Sequence, residues 1–413
     1  MMVYFAPFYK GAAAFCAAGK FLQQCNFTKY QETKSMKKRI LIISGEASGD
    51  QHGAALANAV HTKDPEIKFL GMGGEAMRKA GVDIRVDAAP LAVVGVIEIL
   101  QHIMPIYKAW RTLKNVIHNE RPDLVLLIDY PAFNLQIAKI AKKAGIPVLY
   151  YISPKIWAWR LGRIKKIGSR IDKMLVIFPF EEALYREKGI PVEYVGHPLA
   201  DRVQPDKDIV TMRREYEIDE KSRIVGLLPG SRKGEIQRLL PTMLLAAKQL
   251  KRRYPDLIFV LPQASSLKQD DLLPYLEKSA VSVKVIPEQF YNTVQLCSAT
   301  IVASGTATLE TALLQIPMVI IYKTAASTYV IARRVIQIPH IGLCNIVAGE
   351  TVAKELIQHE ATPEAITAEV VHILEDEVYR KTMQKKFCEV KEKLGEGGGV
   401  VKAAEAVCKM LTP

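Results

Sequence analysis

At 413 residues and 49% hydrophobic, with an ordinary 24% charged, the chain is long enough for two or three domains and apolar enough to fill large cores. Its basic balance, 56 Lys+Arg against 43 Asp+Glu for a formal +13, suits anionic lipid or an anionic small substrate, or simply a basic soluble protein. Nucleic acid is disfavoured because no RNP, zinc-finger or heptad pattern is present, no apolar run reaches transmembrane length, and six scattered cysteines without a CxxC pair or metal spacing point to free thiols in a reducing compartment.

Residues 1–36 form an aromatic, alanine-rich extension without clear periodicity. Its first basic residue is Lys10, so the charged start of a signal peptide is missing. Met36-Lys-Lys-Arg-Ile reads as a natural start before the first strand. The extension is either an upstream in-frame start or a poorly packed tail, with a membrane-touching tail as the alternative.

The first predicted strand, Arg39–Ile43, runs into Ser44-Gly-Glu-Ala-Ser-Gly-Asp50, and a helix follows over Gln51–Val60. Strand, glycine loop and helix in this order open many α/β domains that bind nucleotides or sugars. A phosphate cradle, however, uses backbone N–H groups and cations, and this loop carries Glu46 and Asp50. The loop marks a ligand site that is not the phosphate site.

A strand at Lys68–Leu70 is followed by Leu91-Ala-Val-Val-Gly-Val-Ile-Glu-Ile-Leu100, nearly all apolar and including Val94 and Ile97. Core packing and an acyl- or membrane-contacting patch both fit it. The next strand, Leu124–Ile128, ends at Asp129, and Pro131 turns the chain out of the sheet ahead of a helix over Asn134–Ala144. Asp129 either caps that helix or takes a proton from a sugar hydroxyl over the cleft.

After the strand Val148–Ile152 comes Tyr151-Ile-Ser-Pro-Lys-Ile-Trp-Ala-Trp-Arg160. Trp157 and Trp159 beside a proline suit a sugar or acyl surface. Arg160, Arg163, Lys165, Lys166, Arg170 and Lys173 follow, either as a solvated face or as a seat for phosphate or anionic lipid. The strand Lys173–Ile177, a helix over Phe180–Lys188 and the strand Val192–Val195 complete the first half. His197, just before Pro198, is a weak site candidate, more in keeping with a structural role.

A boundary falls between Pro198 and Arg223, giving units of 37–205 and 206–413. The second half repeats the pattern with strands at Ile224–Leu228, Leu257–Leu261, Val283–Ile286, Thr300–Ala303 and Pro317–Ile321, a long helix near Gly234–Arg253 and another at Ala307–Leu314. Short buried runs alternating with helices imply an α/β fold with two open parallel sheets of doubly wound, Rossmann-like type.

Two turns here seek anions. Gly230-Ser-Arg232 offers close backbone approach, a hydroxyl and a planar guanidinium, or is a tight turn with a surface arginine. Ser304-Gly-Thr-Ala-Thr-Leu-Glu310 opens a helix on small residues. Gly305 and Thr306 present its first amides, and Glu310 can accept from ribose hydroxyls; the plainer alternative is an ordinary Ser-capped helix.

In this order SGEASGD, VVGVIEIL, IDYPAFN, YISPKIWAWR, VGHPLAD, LLPGSR, ASGTATLE and Asn345-Ile-Val-Ala-Gly349 make the chain resemble the lipid-A-disaccharide synthases from about Lys38 to the C-terminus. The resemblance implies an inverting glycosyltransferase of the two-domain GT-B architecture, with no cofactor and no metal. Its substrates are UDP-2,3-diacylglucosamine and 2,3-diacylglucosamine 1-phosphate, joined into the β(1→6) disaccharide phosphate with release of UDP, at the inner face of the cytoplasmic membrane and its anionic lipid surface.

It further implies Asp129 as base, Glu46 as an important acid, Arg232 near the diphosphate and Glu310 and Asn345 in the UDP region; with the turn residues Gly230, Ser231, Gly305 and Thr306 read above, these are expected to surround UDP. Ser48, Asp50, Trp157, Trp159, Arg160, Val94 and Ile97 are then expected to face the acceptor or lipid, and the last helices to pack back on the first half. Oligomeric state stays open. Ala132 stands where the family often has Asp or Gly, and Cys344 where proline is usual. The rival readings are another UDP-sugar enzyme of this fold, a transferase or an epimerase, and a non-catalytic nucleotide-sugar or lipid binder.

Overall fold

Two all-parallel sheets, one from each half of the chain, carry the molecule. The computed structural model describes residues 37–89, 103–159, 161–325, 329, 338–395 and 397–412. The extension before Met36, Val94, Ile97 and Arg160 lie outside the described residues, as does the side chain of Trp159.

The first sheet contains β1 (Arg39–Ser44), β2 (Lys68–Gly73), β3 (Asp83–Asp87), β4 (Leu124–Ile128), β5 (Val148–Tyr151), β6 (Lys173–Val176) and β7 (Val192–Tyr194), in the order β3-β2-β1-β4-β5-β6-β7. The second contains β8 (Ile224–Leu228), β9 (Ile258–Gln263), β10 (Val283–Pro287), β11 (Ala299–Ala303), β12 (Met318–Tyr322) and β13 (Glu355–Ile357), in the order β10-β9-β8-β11-β12-β13. Each order reverses direction once, between β1 and β4 and between β8 and β11. Doubly wound sheets bind ligands at such a reversal, outside the carboxyl ends of the strands.

The central strands are continuous apolar runs because helices cover both their faces: every residue of β4, β8 and β11 is buried. The edge strands are written differently. In β3 the charged Asp83, Arg85 and Asp87 alternate with half-buried Ile84 and Val86. The apolar rule that finds the central strands therefore passes over β3, and it passes over the three-residue β13 as well.

The C-terminal helices return to the first sheet. Glu377–Leu394 and Gly399–Leu411 contribute Val390, Leu394, Ala403, Ala404 and Val407 to a core that also holds Ile40, Leu56 and Val60 from the first half and Leu309 and Leu343 from the second. Polar ties reinforce the crossing. The Tyr194 hydroxyl donates to Lys393 O (3.1 Å), Gly398 N donates to Asp201 (2.6 Å), and Lys63 pairs with Glu405 (3.0 Å).

Candidate active site

The motif loops meet at the two points of reversal. In the first sheet, β1 delivers Ser44–Glu46 and β4 delivers Asp129. Asp129 (φ 44°) and Tyr130 (φ 47°) are consecutive left-handed residues, a conformation that costs roughly 1–3 kcal/mol for each when the residue is not glycine. Their surroundings over-determine the turn. Asn134 Nδ2 donates to Ile128 O (3.1 Å) and Asp129 O (2.7 Å), the Tyr150 hydroxyl donates to Asp129 O, and Asp129 N donates to Tyr151 O (3.2 Å). Pro131 then starts the helix Pro131–Lys143 at once.

The glycines of the first loop exist for packing. A Cβ on Gly45 would stand 2.3 Å from the Tyr130 ring, and one on Gly49 would strike Ser44 Oγ. Glu46 is exposed at the N-cap of the helix Ala47–Lys63, with Ser48 exposed in its first turn.

Burial, and then the negative charge of Glu46, hold the Asp129 carboxyl above the usual carboxylate range, while Lys155 opposes them. A carboxyl of raised pKa at a strand end is a stronger proton acceptor once ionised. Lys155 is the partner that sequence reasoning overlooked. It lies two residues before Trp157, and the tryptophans drew the functional reading of that segment.

Several expected site residues do other things. Asp50 is buried, and its carboxylate accepts from Gly74 N (2.7 Å), Ala76 N (2.9 Å) and Met77 N (3.1 Å) at the start of the helix Glu75–Lys79. It holds that helix end instead of an acceptor, because a buried carboxylate needs such donors. Trp157 is buried too. Its indole N–H donates to Glu181 (2.9 Å), and its ring packs edge-on against Phe178 and Phe180, so it is core and not a lipid-facing surface.

Asn345 has no exposed surface. Its Oδ1 accepts from Val352 N and Ala353 N (both 2.9 Å), and its Nδ2 donates to Ala353 O (2.7 Å) and Glu355 (2.8 Å). With every hydrogen-bonding position used, it ties a loop together and has nothing left for UDP.

His197 is likewise structural at this level. Its Nδ1 accepts from Leu199 N (3.1 Å) at the cap of the helix Pro198–Arg202, and its ring lies 4.9 Å from Phe178. Burial, then the neighbouring His52 and Lys155, push its pKa down to about 3.

In the second sheet the turn after β8 is occupied by its own helix. Glu235 accepts from Ser231 N (3.0 Å) and Arg232 N (3.3 Å), and the space beside Gly230 (φ 107°) is filled by that carboxylate. Gly230 and Ser231 thus serve Glu235, a correction to their expected role as a phosphate-approaching backbone. The guanidinium of Arg232 remains exposed, paired with Glu235 only at 3.6 Å.

The turn after β11 is open. Gly305 and Thr306 are exposed, and no atom lies within 4 Å of a Cβ placed on Gly305. At the start of the helix Thr306–Leu313, Thr308 N donates to Gly305 O (3.2 Å), while the amides of Gly305 and Thr306 lie ahead of the first intrahelical bond. Glu310 accepts from the Tyr291 hydroxyl (2.9 Å), and burial raises its pKa. Arg202 acts electrostatically on Glu310 and Tyr291 and also on His52 of the first half.

A family model described as lipid-A-disaccharide synthetase matches residues 40–407. The lipid-A-disaccharide synthase of Geobacter metallireducens is 50% identical over 374 residues, 91% of this chain and 97% of that relative. The enzyme of that name in Geobacter sulfurreducens is 48% identical over 379 residues, 92% of this chain and 99% of its own. Among solved structures, the UDP-GlcNAc 2-epimerase of Neisseria meningitidis bound to UDP-GlcNAc aligns with TM-score 0.61 at 14% identity over 90% of this chain and all of that one. MurG of Acinetobacter baumannii aligns with TM-score 0.53 at 16% identity, over 90% and 99%. Both structural likenesses concern the fold.

Proposed function

The chain belongs to the lipid-A-disaccharide synthase family, glycosyltransferases of lipid A biosynthesis, and from that premise we propose that Asp129 is the base of an inverting displacement between UDP-2,3-diacylglucosamine and 2,3-diacylglucosamine 1-phosphate. The observation that carries this reading is the Asp129 carboxyl itself: strained into place at the end of β4, half-buried, and under the opposing influence of Glu46 and Lys155.

In the proposed step the acceptor's 6-hydroxyl oxygen attacks the donor's anomeric carbon, Asp129 takes the hydroxyl proton, and the bond to UDP breaks on the opposite face. Negative charge then grows on the departing diphosphate. The exposed guanidinium of Arg232 and the open amides of Gly305 and Thr306 are suited to stabilise it, and Glu310 is suited to the ribose.

No helix among the described residues is long and apolar enough to cross a membrane. In this reading the protein sits peripherally on the inner, anionic face of the cytoplasmic membrane. The helix Ile103–Glu120 supports that placement: Met104 and Tyr107 are 60% and 52% exposed, Trp110 stacks on Tyr107, and Lys108, Arg111 and Lys114 share the helix.

Asp129→Asn tests the base. It should bind UDP as the wild type does while turnover falls by about 100-fold or more, measured as disaccharide formed. Turnover near the wild-type rate would remove Asp129 from the mechanism.

A further inference from the structure

Resting on the glycosyl transfer just described, we propose that a cationic groove beside the Asp129 turn seats the acceptor's phosphate monoester. The groove has a volume of about 220 Å³ and lies between the helices Pro131–Lys143 and Ile164–Gly168. Ala132, Leu135 and Gln136 line one wall, and Arg163, Lys166 and Arg170 the other. No carboxylate lines it, and position 132, three residues after the base, is an uncharged alanine.

The flanking bases behave differently from these three. Lys142 is neutralised by Asp172 (2.5 Å) and Lys173 by Glu193 (2.5 Å). Arg163, Lys166 and Arg170 have no ion pair among the described residues. Arg170 is held in position all the same, because its Nη1 donates to Leu135 O (2.8 Å) across the groove. Fixing one guanidinium and leaving two further cations free is an arrangement for a doubly charged anion, which gains charge-assisted hydrogen bonds that a neutral ligand does not.

Position completes the argument. Pro131 also lines the groove and is two residues from Asp129, a span of at most about 7 Å of chain. That is comparable with the width of one sugar ring, so a glucosamine whose 6-hydroxyl meets Asp129 can reach the groove with a phosphate on its far side. A phospholipid headgroup offers similar chemistry, and the test separates the two sources.

The double variant Arg163→Ala/Lys166→Ala removes two exposed side chains and leaves Arg170 in place. Wild type and variant would be assayed with diacylglucosamine 1-phosphate and with its dephosphorylated counterpart, in nonionic micelles free of anionic lipid. The preference in kcat/KM for the phosphorylated acceptor should fall at least about tenfold in the variant, through acceptor KM and with donor KM held. Equal losses on both acceptors, or an intact preference, would overturn the proposal. So would a loss that appears only on anionic vesicles, which assigns the groove to lipid headgroups. Should the wild type form disaccharide from neither acceptor, glycosyl transfer is what fails. Binding of the phosphorylated acceptor in micelles, compared between wild type and variant, then still decides the groove.

Discussion

Asp129 stands between a negative and a positive neighbour, and the balance between them sets the pH at which it can act. Burial is the largest influence on it and Glu46 the next; both favour the neutral acid, while Lys155 favours the carboxylate. A base must be ionised, so activity falls as pH drops through the raised pKa of this group. Glu46→Gln removes one raising influence and should move the acid limb of kcat to lower pH. If Glu46 served only to orient substrate, the variant would be slower at every pH with its limb unmoved. The same scale explains why some site residues were legible and others were not. The sequence shows that Asp129 ends a buried strand. It does not show that Asp50 points at three amides or that Asn345 is saturated, because those partners are 24 to 27 and 7 to 10 residues away in sequence.

At the scale of elements, the short helices after β5 and β6 join around a buried acid. Glu181 accepts from the Trp157 indole N–H (2.9 Å) and from Phe178 N (3.3 Å) within a cluster of Phe178, Phe180 and His197. Burial dominates and pushes its pKa from 4.5 up to about 7. The folded protein therefore binds this proton more tightly than the unfolded chain does. The associated cost is absent below about pH 4.5, grows between 4.5 and 7, and is complete above, at roughly 3 kcal/mol. Urea unfolding at pH 5 and pH 8 should show a fall in stability for the wild type that Glu181→Gln lacks. A parallel fall in both would mean that another group titrates.

Strand existence was plain in the sequence wherever both faces are buried, as in β4, β8 and β11. It was hidden where only one face is covered, as in β3, whose Arg85 is spent on Asp83 (2.8 Å) at the sheet edge. Both anion-seeking turns were visible as glycine-bearing loops after strands. Only the fold shows that Glu235 already occupies one of them and that the other stands open.

At the scale of the whole molecule, the crossing of the C-terminal helices over the first sheet depends on close backbone approach. A Cβ on Gly399 would lie 3.0 Å from Gly196 O and 3.2 Å from Gly196 C, atoms of backbone that cannot swing aside. Gly399→Ala should therefore lower stability by about 1–3 kcal/mol, read as a drop in Tm, even though it touches no proposed ligand. An unchanged Tm would show that the crossing yields easily.

The same crossing places a constraint on how the protein is made. The helix Ala47–Lys63 precedes most of the first sheet in the chain, yet part of its apolar face is closed by Gly399–Leu411, which follows both sheets. At typical synthesis rates the interval between them is on the order of 20–70 s. From the completion of β7 onward the first sheet stands with an unclosed apolar seam, a surface for chaperones to guard until that helix docks.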